Sequence, residues 1–326
     1  MSWVPFSVAD DGADGCAAVN FSTTGARSAY LGVLCVLLGA IGFSGKAVIV
    51  KLAYQYSVDV MTLLALRMII SLPFFAAMAL WSRMGGGGPR MTRADWLAII
   101  GLGFIGYYIG SYLDFAGLQY VSAGLGRLIL YLHPTLVLIL SALFFRQAIR
   151  SKHLLSLALS YGGIVLVFYE QLSVGHDRGA LLLGGGLVFA SAVTYAIYLI
   201  AGSRVVLRLG SMRFTAYASI TACAFVIVHF MITHGPAALS VAPQVYWLTL
   251  VMAVFSTVLP LWLVAEGLRR IGANQTALVG CIGPLSTIVL ANLFLSEPIS
   301  AIQLAGAMLV LAGVMIISVK PQATKS

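Results

Sequence analysis

Acidic residues are scarce in this chain: ten Asp and Glu in 326 residues, with 9% charged residues of either sign. A soluble domain carries about 25% charged residues, and a fold of this length has too much surface for so few charges to cover. A soluble enzyme, a disordered protein and a nucleic-acid binder are therefore excluded, despite a net charge of +9. Cysteine is rarer still. Cys16, Cys35, Cys223 and Cys281 lie far apart, three of them in apolar runs, so no disulfide framework and no metal or redox spacing is implied. A signal peptide is not expected either. Asp10, Asp11 and Asp14 stand where a basic start belongs, and no apolar stretch follows them. Residues 1–28 read as a flexible polar tail.

What the chain has is apolar length. Sixty per cent of its residues are hydrophobic and the mean hydropathy is +1.00. The runs match the roughly 20 residues of a membrane-spanning helix and lack the alternation of barrel strands. Ten spans are expected, near 29–50, 59–81, 95–117, 121–145, 153–169, 180–201, 212–233, 245–267, 272–294 and 301–318. The fold class is an all-α integral membrane bundle.

The cations give the orientation. On the side shared by both termini lie fourteen, among them Arg83, Arg90, Arg93, Arg146, Arg150, Arg204, Arg208, Arg213, Arg269 and Arg270. The other side has two, Lys51 and Arg178. By the positive-inside rule both termini, including the tail 319–326, are expected in the cytoplasm, and the chain in the cell membrane.

Sliding the chain by 150 residues aligns it with itself. Gly117 falls on Gly267, Ala123 on Ala273, Pro134 on Pro284, Phe144 on Phe294, Ile149 on Ile299 and Gly163 on Gly313. Five spans per repeat is an odd number, so the second repeat enters the membrane from the opposite face. Residues 29–170 and 180–318 are then two inverted five-helix repeats, an architecture on which many secondary carriers rock about a midplane site. Proline within spans four and nine kinks both helices and frees backbone carbonyls.

The five-plus-five arrangement, the L-x-x-[VI]-x-A…P…L-F pattern of spans four and nine, and Ser296-Glu297-Pro298-Ile299-Ser300 before the last span resemble the drug/metabolite transporter (DMT) superfamily, and within it the EamA family. The resemblance covers roughly residues 30–318. It implies a membrane carrier, often an exporter, of amino acids, drugs or other small metabolites. One position departs from the pattern: the family's common Gly-Glu at the end of span four reads Arg146-Gln147 here, and the acid survives only as Glu297.

Two motifs imitate soluble chemistry. Gly101 to Gly106 satisfies G-x-G-x-x-G, but inside an apolar span, where small residues serve close helix packing rather than a dinucleotide. Gly42-Phe43-Ser44-Gly45 resembles an intramembrane serine protease motif with His133 as a base, yet nothing in the sequence brings Ser44 and His133 together. The chain is not expected to be an enzyme, and it calls for no metal or other cofactor.

Charges at bilayer depth cost about 2.5–3.5 kcal/mol each on insertion scales and mark functional candidates. Lys46, Arg67, Asp114 and Arg127 fall in the half of the bilayer remote from the termini. Asp114 and Arg127 flank a short turn and are expected to pair. Tyrosines accompany them: Tyr108 and Tyr112 on span three, Tyr131 on span four, Tyr195 and Tyr198 on span six. Glu266 is expected to pair with Arg269 and Arg270. Under the 150-residue offset Asp114 maps to Val264 and Arg127 to Ala277, so one repeat is expected to carry the recognition groups.

The resulting expectation is a secondary active exporter working by alternating access on a small polar or amphipathic metabolite, such as an amino acid or a drug. The substrate-binding candidates are Lys46, Arg67, Tyr108, Tyr112, Arg127, Tyr131, Tyr198 and Trp262. Asp114 and His133 are the proton-coupling candidates, histidine being the side chain that titrates nearest neutral pH. The alternatives are a passive channel and, further off, an intramembrane hydrolase. The expected partners are a small-molecule substrate and the lipid bilayer, with a homodimer allowed and no nucleic acid.

Overall fold

The computed structural model of the chain describes residues 23–84, 89–146, 151–173 and 177–318. The expected tails at 1–22 and 319–326, and Gln147, lie outside them. Among the described residues the secondary structure is helical, with no strand. Nine helices among the described residues are long and apolar enough to cross a membrane: α1 (Ala29–Tyr54), α2 (Val60–Ser82), α3 (Arg93–Gly117), α4 (Ala123–Phe144), α5 (Ser151–Ser173), α6 (Arg178–Leu209), α7 (Ser211–Thr233), α8 (Pro243–Ile271) and α9 (Leu278–Leu295). A tenth, α10 (Ala301–Ile316), is shorter and also apolar. The helical backbone of α1 starts earlier, at Thr23, within the stretch read as tail.

Polar side chains start the helices where the sequence offers them. Thr92 and Asp95 form a reciprocal capping box at the start of α3, and Arg208 of α6 closes onto the same carboxylate. Asp59 accepts the amides of Met61 and Thr62 at 2.8 and 3.0 Å, and Asp177 caps α6 through Gly179 and Ala180. Glu266 forms its expected ion pairs with Arg269 and Arg270, both at 2.6 Å. We call the end of the bundle bearing these arginines the basic end.

The two halves repeat in detail. Backbone bulges of the wider π type interrupt α3 over Gly103–Ile109 and α8 over Val254–Val258. Helices α4 and α9 break at Tyr131–Leu132 and Cys281–Ile282, one residue before the paired prolines' helical turns resume. Arg146 and Ser296, 150 residues apart, both take the left-handed conformation (φ 52° and 56°) that ends those helices. Packing follows the same symmetry: α1 against α8 as α6 against α3, and α1 against α9 as α6 against α4. Two further contacts, α2 with α7 and α5 with α10, pair equivalent helices of the two halves.

One junction differs from expectation. A non-helical turn was expected near 268–271, whereas helical hydrogen bonding continues from Leu259 to Gly280. The chain nonetheless doubles back within that stretch. Gly267 packs on Val36 and Gly32 of α1, while Gly283 meets Ser44 a dozen residues further along α1. Lys51, expected in a loop, sits on the last turn of α1.

Candidate functional site

The breaks in α4 and α9 face each other, and the carbonyls four residues before the two prolines, Leu130 O and Gly280 O, each meet a side chain. Tyr131 donates its hydroxyl to Gly280 O at 2.6 Å, bridging the repeats. His133 Nδ1 lies 3.0 Å from Leu130 O, the position equivalent to Gly280, so Nδ1 carries the proton there. Ser44 is fully buried and its hydroxyl lies 2.7 Å from Ala40 O and 2.8 Å from Gly283 O. That hydroxyl serves helix packing rather than acting as a free nucleophile. Gly103 and Gly106 of the G-x-G-x-x-G stretch fit against Ala218 O of α7 and the Tyr198 ring of α6.

Around these breaks lies a cavity of about 490 Å³ lined by both repeats. Its charged groups all come from the first: Lys46 (α1), Arg67 (α2), Asp114 (α3) and Arg127 (α4). The second contributes hydroxyls and small groups, including Ser191, Ser219, Ser256, Thr257 and Cys281. The lining extends to Thr215, near the start of α7 at the basic end. Toward the opposite end the space is filled by fully buried Val50, Ala53, Phe115, Val121 and Leu125.

The expected Asp114–Arg127 pair is not formed. Asp114 Oδ2 instead binds Lys46 Nζ at 2.6 Å, with the carboxylate side chain 3% exposed. Arg127 is drawn along its own helix, its Cζ lying 5.4 Å from the centre of the Tyr131 ring. Arg67 lies likewise 5.5 Å from the Phe115 ring. A desolvated cation over an aromatic face is worth up to about 2 kcal/mol, but it leaves the in-plane N–H donors unused. Among the described residues Arg67 Nε and Nη1, Arg127 Nε and Asp114 Oδ1 are buried without a hydrogen-bond partner. Buried donors and acceptors of this kind carry a desolvation cost that water or a ligand relieves. With Lys46, Arg67 and Arg127 against Asp114, the site carries two net positive charges.

Of the sequence candidates, Lys46, Arg67, Arg127, Tyr131, Asp114 and His133 line the cavity. Tyr108, Tyr112, Tyr198 and Trp262 do not. Tyr108 points to α7 and bonds His229 Nδ1 at 2.8 Å, with Tyr112 beside the same ring. Tyr198 is buried behind the wall, stacked on Phe214 and on Tyr195. Trp262 is 62% exposed on the outer surface of α8, since its neighbour Leu261 takes the inward position.

The wall also contains residues the sequence reading did not single out as binding groups: Phe43, Phe75, Tyr107 and Tyr195, the last 5.3 Å from the His133 ring. Helical spacing marks some of them. Phe43 precedes Lys46 by three residues, and Tyr107, Ser111 and Asp114 stand at i, i+4 and i+7 on one face of α3.

Comparison with known proteins agrees with this architecture. Residues 30–169 and 182–319 each match the EamA-like transporter family. Uncharacterized transporter YcbK of Bacillus subtilis (strain 168) is 29% identical over 288 residues, covering 86% of this chain and 90% of that protein. Uncharacterized transporter YyaM of the same organism is 31% identical over 225 residues, covering 68% and 73% respectively. A solved crystal structure shares the fold with a TM-score of 0.58 at 19% identity, covering 90% of this chain and 97% of the other. With ten apolar helices, an internal repeat and both halves matched, the chain is a multi-pass membrane protein that belongs to the EamA-like transporter family.

Proposed function

We propose that this transporter is a secondary active exporter of a small metabolite bearing a carboxylate or comparable anionic group on a polar or amphipathic body, such as an amino acid. The observation that carries the reading is the set of buried, unpaired guanidinium N–H donors on Arg67 and Arg127, two residues that line one cavity. Arg67 and Arg127 bind the anionic group. Phe43, Tyr107, Tyr131 and Tyr195 form the walls for the rest of the molecule. Lys46 holds Asp114 in place, leaving Oδ1 to accept from a cationic or hydroxyl group of the substrate. Asp114 and His133 are the proton-exchanging groups.

The basic end is assigned to the cytoplasm of the cell membrane, which makes the described conformation open to the cytoplasm and packed shut on the other side. That packing supports a carrier over a passive channel, because a channel needs a continuous path. The test is uptake and counterflow of labelled amino acids and other small carboxylates in proteoliposomes under an imposed pH gradient. A hydrogen bond to a charged group contributes about 1.5–3 kcal/mol, so Arg127→Ala and Arg67→Ala are each expected to weaken apparent affinity about ten- to hundredfold. Flux without saturation or counterflow would show a channel. Transport untouched by Arg127→Ala combined with Asp114→Asn would overturn the site.

A further inference from the structure

Away from the cavity, a polar cluster that the substrate site does not use joins the two repeats at the end remote from the basic end. Glu297, in the connection between α9 and α10, reaches across to the start of α4. Its Oε1 accepts the Ala123 amide at 3.1 Å and lies 3.7 Å from Lys51 Nζ on α1. Lys51 in turn donates to Val121 O at 2.7 Å. Gln171 of α5 donates to Ser122 Oγ, which itself accepts the Leu125 amide and so caps α4. Asn292 holds the Glu297 carbonyl at 2.9 Å, just after the left-handed Ser296. A carboxylate at a helix N-terminus is stabilised by the helix dipole and by direct amide donation, and here the acid and the capped helix belong to different repeats.

We infer that Glu297, with Lys51, is the latch that holds the remote end closed, and that the repeat-related positions at the basic end supply no ionic contact in its place. The inference rests on the alternating-access reading. In an inverted repeat each closing contact at one face has a counterpart at the other, used when the bundle rocks the opposite way. Under the 150-residue offset Glu297 corresponds to Gln147, Lys51 to Ala201 and Ser122 to Gly272. The counterpart set has neither the carboxylate, the ammonium nor the capping hydroxyl. The state closed at the remote end therefore has a charge-assisted contact that its opposite lacks, and the empty carrier rests open toward the basic end.

Cys281 lines the cavity and is the natural reporter. In a chain carrying Cys16→Ser, Cys35→Ser and Cys223→Ala, its rate of labelling by a charged, membrane-impermeant methanethiosulfonate is measured on intact cells with no substrate added. Glu297→Gln is expected to raise that rate about fivefold, the effect of losing one partly exposed ion pair of about 1 kcal/mol. Lys51→Met is expected to act in the same direction, and it reads the latch should Glu297→Gln fail to fold. Glu266→Gln, which breaks the ion pairs with Arg269 and Arg270 at the basic end, is expected not to raise it. Equal rates in the parent, Glu297→Gln and Lys51→Met, with monodisperse protein, would overturn the latch. Labelling is read without transport, so a wrong substrate assignment leaves this outcome unaffected, and a failed latch leaves the arginine site standing.

Discussion

The Lys46–Asp114 pair sets the electrostatics of the cavity. It is held at 2.6 Å with little exposure of either side chain, 19% for Lys46 and 3% for Asp114. Removing one partner of a buried pair strands the other and costs about 3–5 kcal/mol, whereas replacing both by neutral groups is often close to neutral. Asp114→Asn alone is therefore expected to lower the thermal unfolding temperature sharply, since it leaves three cations together. The double variant Lys46→Met/Asp114→Asn is expected to recover most of that loss in a double-mutant cycle by thermal unfolding in detergent. A double variant no more stable than Asp114→Asn would show that the pair does not couple. At this scale the sequence showed which charged groups gather but not how they pair, because an ionisable group at bilayer depth has few places to go while packing chooses its partner. All four intramembrane charges reached the cavity. The tyrosines were not legible in the same way, since phenols serve both packing and binding. Tyr108 and Tyr112 went to His229 on α7 while Tyr107, on the same face as Asp114, took the wall.

Helix boundaries and repeat register were readable from apolar length and from the in-register prolines, but the irregularities that shape the site were not. The π-type bulges in α3 and α8 carry no distinctive residue, and the left-handed ends of α4 and α9 fall on Arg146 and Ser296 rather than on glycine. Among the glycines, the sequence shows an enrichment without saying which positions need the missing side chain. Gly162 and Gly163 on α5 separate the two cases. A Cβ at Gly163 would sit 2.5 Å from Gly306 O of α10, so the helices must move apart to admit it. A Cβ at Gly162 meets nothing within 4 Å. Gly163→Ala is expected to destabilise the protein by about 1–3 kcal/mol through overpacking. Gly162→Ala is expected to stabilise it by up to ~1 kcal/mol, the gain in helix propensity. Thermal unfolding of the two variants side by side reads both. Equal effects would mean that the α5–α10 interface is not as close as described.

For the whole molecule the deciding property is the uneven placement of a small number of charges. The scaffold repeats closely, yet the cavity's cations and acid lie in the first repeat, the ionic latch lies at one end, and the arginines crowd the other. An inverted repeat with symmetric charge would have no preferred orientation in the membrane, because each half inserts upside down relative to its partner, related by a pseudo-two-fold axis in the membrane plane. Here the arginine excess breaks that degeneracy: residues 90, 93, 204, 208, 213, 269 and 270 share one end, and Lys51 is drawn instead into the contact with Glu297. Positive-inside bias acts on short loops within about 15–20 residues of the helix ends, which describes every connection in this bundle. A green fluorescent protein fused after Ser326 is therefore expected to fluoresce in the cytoplasm. Alkaline phosphatase fused after Ser173 or after Leu295 is expected to be active outside it, and the same enzyme fused after Leu209 to be inactive. Replacing Arg204, Arg208 and Arg213 together by Gln is expected to weaken the bias and give measurable activity for the Leu209 fusion. Full phosphatase activity after Leu209 in the unmodified chain would reverse the orientation, placing the cavity mouth outside the cell and the Glu297 latch on the cytoplasmic side.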